Sequence, residues 1–119
     1  MESFPVLFMS DQTTYYFVLA SRKFLLEENP LQESLKERQK NYADREKEID
    51  FWLVESPAFL EAPEMAAFKQ QCPLPAAAVI STDIQVIRWL KLRLEFVATG
   101  EFVAPSATIS DPLASLVKA

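Results

Sequence analysis

The chain has 119 residues, half of them hydrophobic and 24% charged, which suits one folded domain built around one hydrophobic core. Its net charge of −5, with basic residues interleaved among acidic ones, argues against a nucleic-acid partner, because phosphates require clustered Lys and Arg. Histidine is absent, which excludes Ser-His and Cys-His nucleophiles and every metal site that includes a His ligand.

The single cysteine, Cys72, has no second cysteine in the chain with which to form a disulfide. No basic residue adjoins it in sequence to lower its pKa, so we interpret it as an inert structural thiol. The sequence also contains no glycine-rich phosphate loop and no cofactor fingerprint. These features predict a protein without catalytic residues, metal or cofactor.

The organisation of the chain begins with residues 1–12, which are predicted to be a flexible N-terminal extension. Residues 13–119 are predicted to form a single α+β domain, with a small antiparallel β-sheet and α-helices packed on its faces. The first predicted strand, 13–20, is a run of β-branched and aromatic residues.

The first long helix is predicted to follow a short helical turn over 23–28. Asn29 and Pro30 are suited to the N-cap and the first helical position, and the helix is expected to end near Lys47. Its acidic and basic residues alternate along most of its surface. We interpret it as a solvated amphipathic helix lying on the sheet, with a partner-binding helix as the alternative.

The second half of the domain is predicted to contain strands at 48–54 and 76–81, with a short helix beginning near Pro63 between them. A capping box at 82–85 opens the last helix, which is predicted to end near Thr99 with Gly100 as its C-terminal cap. The tail after Ala104 is expected to be irregular, with a short turn that starts at Pro112.

Two charged residues stand on predicted apolar surfaces. Asp50 interrupts strand 48–54, whose two faces are otherwise apolar from Ile49 onward, as in an inner strand. A helical wheel places Arg93 near the middle of the apolar arc of the last helix. Because an unpaired buried charge costs several kcal/mol, Asp50 and Arg93 are expected either to form a buried ion pair or to face a partner at a partly exposed edge. The spacing is compatible with both.

Four aromatic residues lie on these same two elements, and aromatic side chains dominate protein cores. We therefore predict that they are core residues, although exposed aromatic rings beside an Arg would be natural interface anchors. They are Phe51, Trp52, Trp89 and Phe96.

The chain resembles a small protein family of cyanobacteria and plastids, known as hypothetical chloroplast reading frame fifty-four. The resemblance covers about residues 13–116. It is carried by four long stretches in order: TTYYFVLASRKFLLEENP, REKEIDFWLVESPAFLEAPE, CPLPAAAVIST and WLKLRLEFVATGEFVAPS.

The resemblance implies a non-catalytic accessory or assembly factor of the magnesium-protoporphyrin monomethyl ester oxidative cyclase of chlorophyll biosynthesis. The implied partner is the di-iron catalytic subunit, a membrane-associated oxygenase, and the implied partner-binding residues are Asp50, Phe51 and Arg93. The chain is expected to hold no cofactor and to contain no transmembrane segment. It is expected in the cytoplasm or plastid stroma, associated with the thylakoid membrane only through its partner.

Two further functions stay open from the sequence. The chain could carry a magnesium porphyrin in a flat pocket lined by Trp52, Trp89 and neighbouring apolar residues. It could also be a structural protein of the photosynthetic membrane.

Overall fold

The sheet has four antiparallel strands in the order β2-β3-β1-β4, with helices against it, which confirms the predicted α+β class. The structure is a computed structural model that describes residues 12–27, 31–94 and 97–117. In chain order the elements are β1 (Thr13–Ser21), α1 (Arg22–Glu27), α2 (Leu31–Asp44), β2 (Phe51–Glu55), two 3₁₀ helices (Ala58–Glu61 and Pro63–Met65), α3 (Ala66–Gln71), β3 (Ala76–Ser81), α4 (Ile84–Arg93) and β4 (Ala98–Ala104).

Some of the predicted features lie outside the described residues. The extension predicted for residues 1–12 is described only at Gln12, and Asn29 and Pro30 precede the described part of α2. The predicted helical turn is confirmed as α1, and the predicted long helix is confirmed as α2, although α2 ends three residues before Lys47. The turn predicted at Pro112 is also present.

The centre of the sheet is the pair β1 and β3. β1 pairs with β3 from Tyr16 opposite Ser81 to Ser21 opposite Ala76, and it pairs with β4 along its other edge. Every residue of β3 is buried, as are residues 17–20 of β1. Because both faces of these strands are apolar, both must be covered by other elements.

The two faces of the sheet carry separate hydrophobic clusters. The first joins Val18 and Ala20 of β1 to buried residues of α1, α2 and α4. The second joins Phe17 and Leu19 to the 3₁₀ helices, β4 and Ile109 of the tail. Because successive residues of β1 point to opposite faces of the sheet, α1, α2 and α4 pack on one face and the two 3₁₀ helices pack on the other.

The strand β2 differs from its prediction in two respects. It spans Phe51–Glu55 rather than 48–54, and it lies at an edge of the sheet rather than inside it. Its apolar residues alternate between the faces as predicted: Phe51 and Leu53 contact the first cluster, and Trp52 and Val54 the second. Apolar residues on both faces were therefore compatible with an edge position, because both clusters extend to that edge.

The start of α4 lies one residue later than its predicted capping box implies. Asp83 is the N-cap, and its Oδ1 accepts a hydrogen bond from the Gln85 amide at 2.9 Å. The amide of Thr82 instead donates to the Asp50 carbonyl at 3.2 Å, so Thr82 still belongs to the end of the β2–β3 pairing.

The end of α4 is the main error of the sequence prediction. The helix stops at Arg93, and the region predicted to complete it instead contains β4, in which Gly100 pairs with Phe17. Gly100 has no positive φ and is not a helix cap. A Cβ atom there would lie 2.7 Å from Cζ of both Phe17 and Phe68, so the glycine provides room for two aromatic rings.

This close approach predicts that Gly100→Val overpacks the second cluster and lowers the free energy of unfolding by about 1–3 kcal/mol. Urea unfolding followed by circular dichroism measures the change, with Thr99→Val on the exposed neighbouring position as the control. Because Phe68 causes half of the clash, Gly100→Val should cost less in a Phe68→Ala background. Equal costs in the two backgrounds would contradict this account of the glycine.

Candidate functional site

The three predicted partner-binding residues lie at the ends of two elements. Asp50 immediately precedes β2, Phe51 is its first residue, and Arg93 is the last residue of α4. Within the described residues, Asp50 pairs with Lys47 and Arg93 with Glu37. The buried Asp50–Arg93 ion pair, one of the two expected arrangements, is therefore not formed.

Asp50 is held by side chains from three directions. Its Oδ1 accepts a hydrogen bond from the Tyr42 hydroxyl at 2.8 Å, and its Oδ2 lies 3.6 Å from Lys47 Nζ. Its backbone carbonyl accepts from the Ser81 hydroxyl at 2.8 Å, which ties the start of β2 to the end of β3. The side chain keeps 21% of its surface exposed, so the carboxylate is oriented internally yet reaches solvent.

Lys47 connects this carboxylate to the start of α4. Its Nζ lies 3.4 Å from the Tyr42 hydroxyl, 4.4 Å from the Tyr42 ring centroid and 3.9 Å from Asp83 Oδ2. The hydrogen bond to Tyr42 raises the pKa of Lys47, with further contributions from the negative charges of Asp50 and Asp83. The ammonium group is therefore fully charged at neutral pH.

Phe51 lies beneath this network and is only 2% exposed. Its ring meets the Tyr42 ring edge-on, with 5.3 Å between the centroids. A ring buried to this extent cannot contact a partner while the chain is folded. Phe51 instead supports the position of Tyr42, whose hydroxyl orients Asp50.

Arg93 reaches the surface beside α2. Its side chain is 44% exposed, Nη2 lies 3.7 Å from Glu37 Oε1, and Nη1 lies 3.5 Å from the Ser34 hydroxyl. Its Cζ lies 4.8 Å from the Trp89 ring centroid. The helical wheel placed Arg93 on an apolar arc, but the helix ends at this residue, so the long side chain lies along Trp89 with its charged group in solvent.

Trp89 also contacts the guanidinium group of Arg38, a residue that was not among the predicted site residues. Arg38 Cζ lies 4.6 Å from the Trp89 ring centroid and 5.8 Å from the Tyr42 ring centroid. Arg38 was hidden among the alternating charges of α2. The available signal was its position four residues before Tyr42, which places both side chains on one face of the helix.

Between α2 and α4 lies an open cleft of about 430 Å³, which we name the α2–α4 cleft. Charged and amide side chains of α2 form most of its wall, and Trp89 forms the apolar part. The lining residues are Glu37, Arg38, Lys40, Asn41, Asp44, Arg45 and Trp89.

The two tryptophans lie on opposite faces of the sheet. Trp89 packs against the first hydrophobic cluster and Trp52 against the second. They cannot line one flat pocket, so the porphyrin pocket suggested from the sequence is not formed by these residues. Phe96, the fourth aromatic residue considered, lies outside the described residues.

Cys72 is half-buried, and this burial raises the pKa of its thiol, which keeps it protonated at neutral pH. Across residues 12–27, 31–94 and 97–117, no three Cys, Asp or Glu side chains are grouped so that they could hold a metal ion. In the same ranges, no helix combines the length and apolar character needed to cross a membrane.

Comparison with known proteins identifies close relatives. A family described as Ycf54 protein matches residues 13–104. The Ycf54-like protein of Synechocystis sp. is 59% identical over 103 residues, which cover 87% of this chain and 77% of that protein. The chloroplastic YCF54 protein of Arabidopsis thaliana is 40% identical over 106 residues, which cover 88% of this chain and 48% of that protein.

Solved structures show the same similarity. The X-ray structure of the All0216 protein from Nostoc sp. PCC 7120 matches with a TM-score of 0.87 and 66% identity, covering 90% of this chain and 99% of that one. The structure of the Ycf54 protein from Synechocystis sp. PCC6803 matches with a TM-score of 0.85 and 57% identity, covering 89% and 99% of the two chains.

The burial of the predicted residues separates their effects on stability. We expect Phe51→Ala to lower the free energy of unfolding by about 3–5 kcal/mol, because it empties a closed core site. We expect Arg93→Ala to change it by at most about 1 kcal/mol, because its ion pair is solvent-exposed. Chemical unfolding measures both, with Leu92→Ala, at a position 88% exposed, as the apolar control. A similar loss of unfolding free energy in Phe51→Ala and Arg93→Ala would contradict the assignment of Phe51 to the core and of Arg93 to the surface.

Proposed function

The chain belongs to the Ycf54 protein family, as its sequence resemblance predicted, and we propose that it is a non-catalytic accessory or assembly factor of the magnesium-protoporphyrin monomethyl ester oxidative cyclase. In this proposal the chain acts in chlorophyll biosynthesis by binding the di-iron catalytic subunit. The proposal combines the role implied by the family resemblance with the surface formed by α2 and the end of α4.

One observation supports the binding role: the Arg93 guanidinium is held at the surface, and its contacts within the chain leave N–H donors available for a partner. A guanidinium offers five N–H donors. The contacts of Arg93 with Ser34 and Glu37 are long, at 3.5 and 3.7 Å, and its side chain is 44% exposed. Stacking on Trp89 reduces the freedom that Arg93 would lose on binding, so it is well suited to meet a carboxylate of a partner.

Asp50 and Phe51 have different parts in this proposal. Asp50 is partly exposed and oriented by Tyr42, so its carboxylate contacts the partner directly. Phe51 is buried and contributes by holding Tyr42 in place. The interaction surface therefore consists of polar groups positioned from beneath by an aromatic pair.

The non-catalytic assignment rests on the residues available for chemistry. A di-iron carboxylate centre of the four-helix type uses paired Glu-x-x-His motifs, and the chain contains no histidine. The catalytic subunit accordingly supplies the iron chemistry, and this chain supplies stability or assembly.

The proposed location follows from the partner. The name of the Arabidopsis relative describes that protein as chloroplastic, and other relatives come from cyanobacteria. We propose that the chain works in the cytoplasm or plastid stroma and reaches the thylakoid membrane through the catalytic subunit.

Capture of the catalytic subunit tests the proposal. The tagged chain, co-expressed with that subunit, should retain it after detergent solubilisation and affinity purification. Arg93→Ala should retain at least about tenfold less, because truncating one member of a desolvated charge pair weakens an interface strongly. Its unfolding midpoint should stay near that of the wild type.

Arg88→Ala is the matched control, since Arg88 is an exposed arginine on the same helix that lines a different cleft together with Tyr16 and Lys91. This variant should retain the subunit as the wild type does. If the wild-type chain retains no catalytic subunit, the proposed function is wrong. If Arg93→Ala and Arg88→Ala retain equal amounts, the role of Arg93 is wrong.

A further inference from the structure

The two charged side chains of the proposed interaction surface, Asp50 and Arg93, are each held by an aromatic residue. The Tyr42 hydroxyl donates a hydrogen bond to Asp50 Oδ1 at 2.8 Å. The Cζ atom of Arg93 lies 4.8 Å from the Trp89 ring centroid. Because Tyr42 belongs to α2 and Trp89 to α4, the separation between the two charged groups depends on how these helices pack together.

Arg38 contacts both of these aromatic rings. Its Cζ lies 4.6 Å from the Trp89 ring centroid and 5.8 Å from the Tyr42 ring centroid, distances at which a cation is attracted to a ring. Arg38 and Tyr42 are four residues apart on α2, so both lie on one face of that helix. The Arg38 guanidinium therefore connects the ring that orients Asp50 to the ring that supports Arg93.

Arg38 is held by these rings rather than by an ion pair. Across residues 12–27, 31–94 and 97–117, no carboxylate lies within ion-pair distance of its guanidinium, and its Nε is buried without a hydrogen-bond acceptor. Burial of an unmatched charged donor is unfavourable. For stability alone, an unbranched apolar side chain of similar length would fill the same space without that cost. What an arginine adds at this position is a planar cation that attracts two aromatic rings at once.

We propose that Arg38 is a positioning residue that fixes the separation between Asp50 and Arg93. It acts on the carboxylate through Tyr42 and on the second guanidinium through Trp89, rather than by touching the partner itself. Holding both charged groups in place in the free chain lowers the entropy that binding costs and presents the two groups to the partner together. This inference rests on the proposed function, in which the partner is the catalytic subunit of the cyclase.

Capture of the catalytic subunit by the full chain tests this role. Arg38→Met keeps a side chain of similar length and removes the planar cation. It should weaken capture by at least about tenfold, because the two charged groups lose their fixed separation. Its urea unfolding midpoint should stay equal to or above that of the wild type, because the unmatched buried donor is gone.

Lys40→Met is the matched control, since Lys40 is an exposed residue of α2 that lines the same cleft and carries the same charge. This variant should capture the subunit as the wild type does. If it weakens capture as much as Arg38→Met, the positive charge of the cleft is responsible and the positioning role is wrong. A fall of both the unfolding midpoint and capture in Arg38→Met would assign Arg38 to stability and would also overturn the proposal.

A double-mutant cycle separates positioning from an independent contribution to binding. If Arg38 acts through Arg93, its replacement should matter less once Arg93 has been removed. In the Arg93→Ala background we expect Arg38→Met to weaken capture further by about threefold or less, with the remaining effect passing through Asp50. An equal loss of capture in the wild-type and Arg93→Ala backgrounds would show that Arg38 acts without Arg93, against the proposal.

Nuclear magnetic resonance tests the positioning in the ¹⁵N-labelled full chain without the partner. The side-chain signals of Trp89 Nε1 and Arg93 Nε are assigned by their loss in Trp89→Phe and Arg93→Lys. The heteronuclear Overhauser values of both signals should fall in Arg38→Met, because both side chains move faster once the guanidinium no longer holds the ring. The indole of Trp52, which packs against the opposite face of the sheet, is the internal control and should keep its value. Unchanged values for Trp89 and Arg93 would refute the positioning role.

The two proposals fail in distinguishable ways. If the wild-type chain captures the subunit and Arg38→Met captures it equally well, the positioning role of Arg38 is wrong and the proposed function stands. If the wild-type chain captures no catalytic subunit, the proposed function is wrong, and the inference about Arg38 falls with it whatever the resonance values are.

Discussion

Burial of β1 and β3 on both faces is the constraint on which the rest of the structure depends. These two strands are apolar on both sides, so neither face of the sheet can be left in water. Helices α1, α2 and α4 cover one face, and the 3₁₀ helices with the tail cover the other. Placing two long helices on the same face brings them side by side, and the α2–α4 cleft is the surface of that contact.

The candidate site is a consequence of how these helices end. α4 stops at Arg93, and the chain turns into β4, which pairs with the open edge of β1. The Arg93 side chain leaves the apolar arc along the ring of Trp89, which keeps its guanidinium in solvent. The same ring receives Arg38 from α2, so one tryptophan positions two guanidinium groups near the surface.

The polar network around Asp50 connects elements of the fold and also leaves part of the Asp50 carboxylate exposed to solvent. Tyr42, Lys47 and Asp50 link α2 to the start of β2, and Lys47 extends the link to the helix cap Asp83. Surface pairs of this kind add little to stability individually, but together they fix the orientation of a carboxylate that reaches solvent. A surface of preoriented charged groups over a rigid aromatic base suits recognition of another protein.

The sequence by itself determined the elements whose signals are local. The β-branched and aromatic run of the first strand, the small apolar residues of Ala76–Ser81 and the alternation of Phe51 with Trp52 all appear in the structure as predicted. The absence of histidine likewise excluded His-dependent nucleophiles and His-containing metal sites from the sequence alone. The long stretches shared with a known family identified the family from sequence alone.

Only the tertiary structure decided the role of Gly100 and the partners of Asp50, Arg93 and Arg38, because these depend on residues distant in the chain. Gly100 looks like a helix cap locally, yet it is required by Phe17, whose ring occupies the space of its Cβ. Of the two arrangements left open for Asp50 and Arg93, the internal ion pair does not form, because Tyr42 and Lys47 contact the Asp50 carboxylate instead. The position of Arg38 four residues before Tyr42 indicated only a shared helix face, and its contact with Trp89 was decided by the tertiary packing of α4 beside α2.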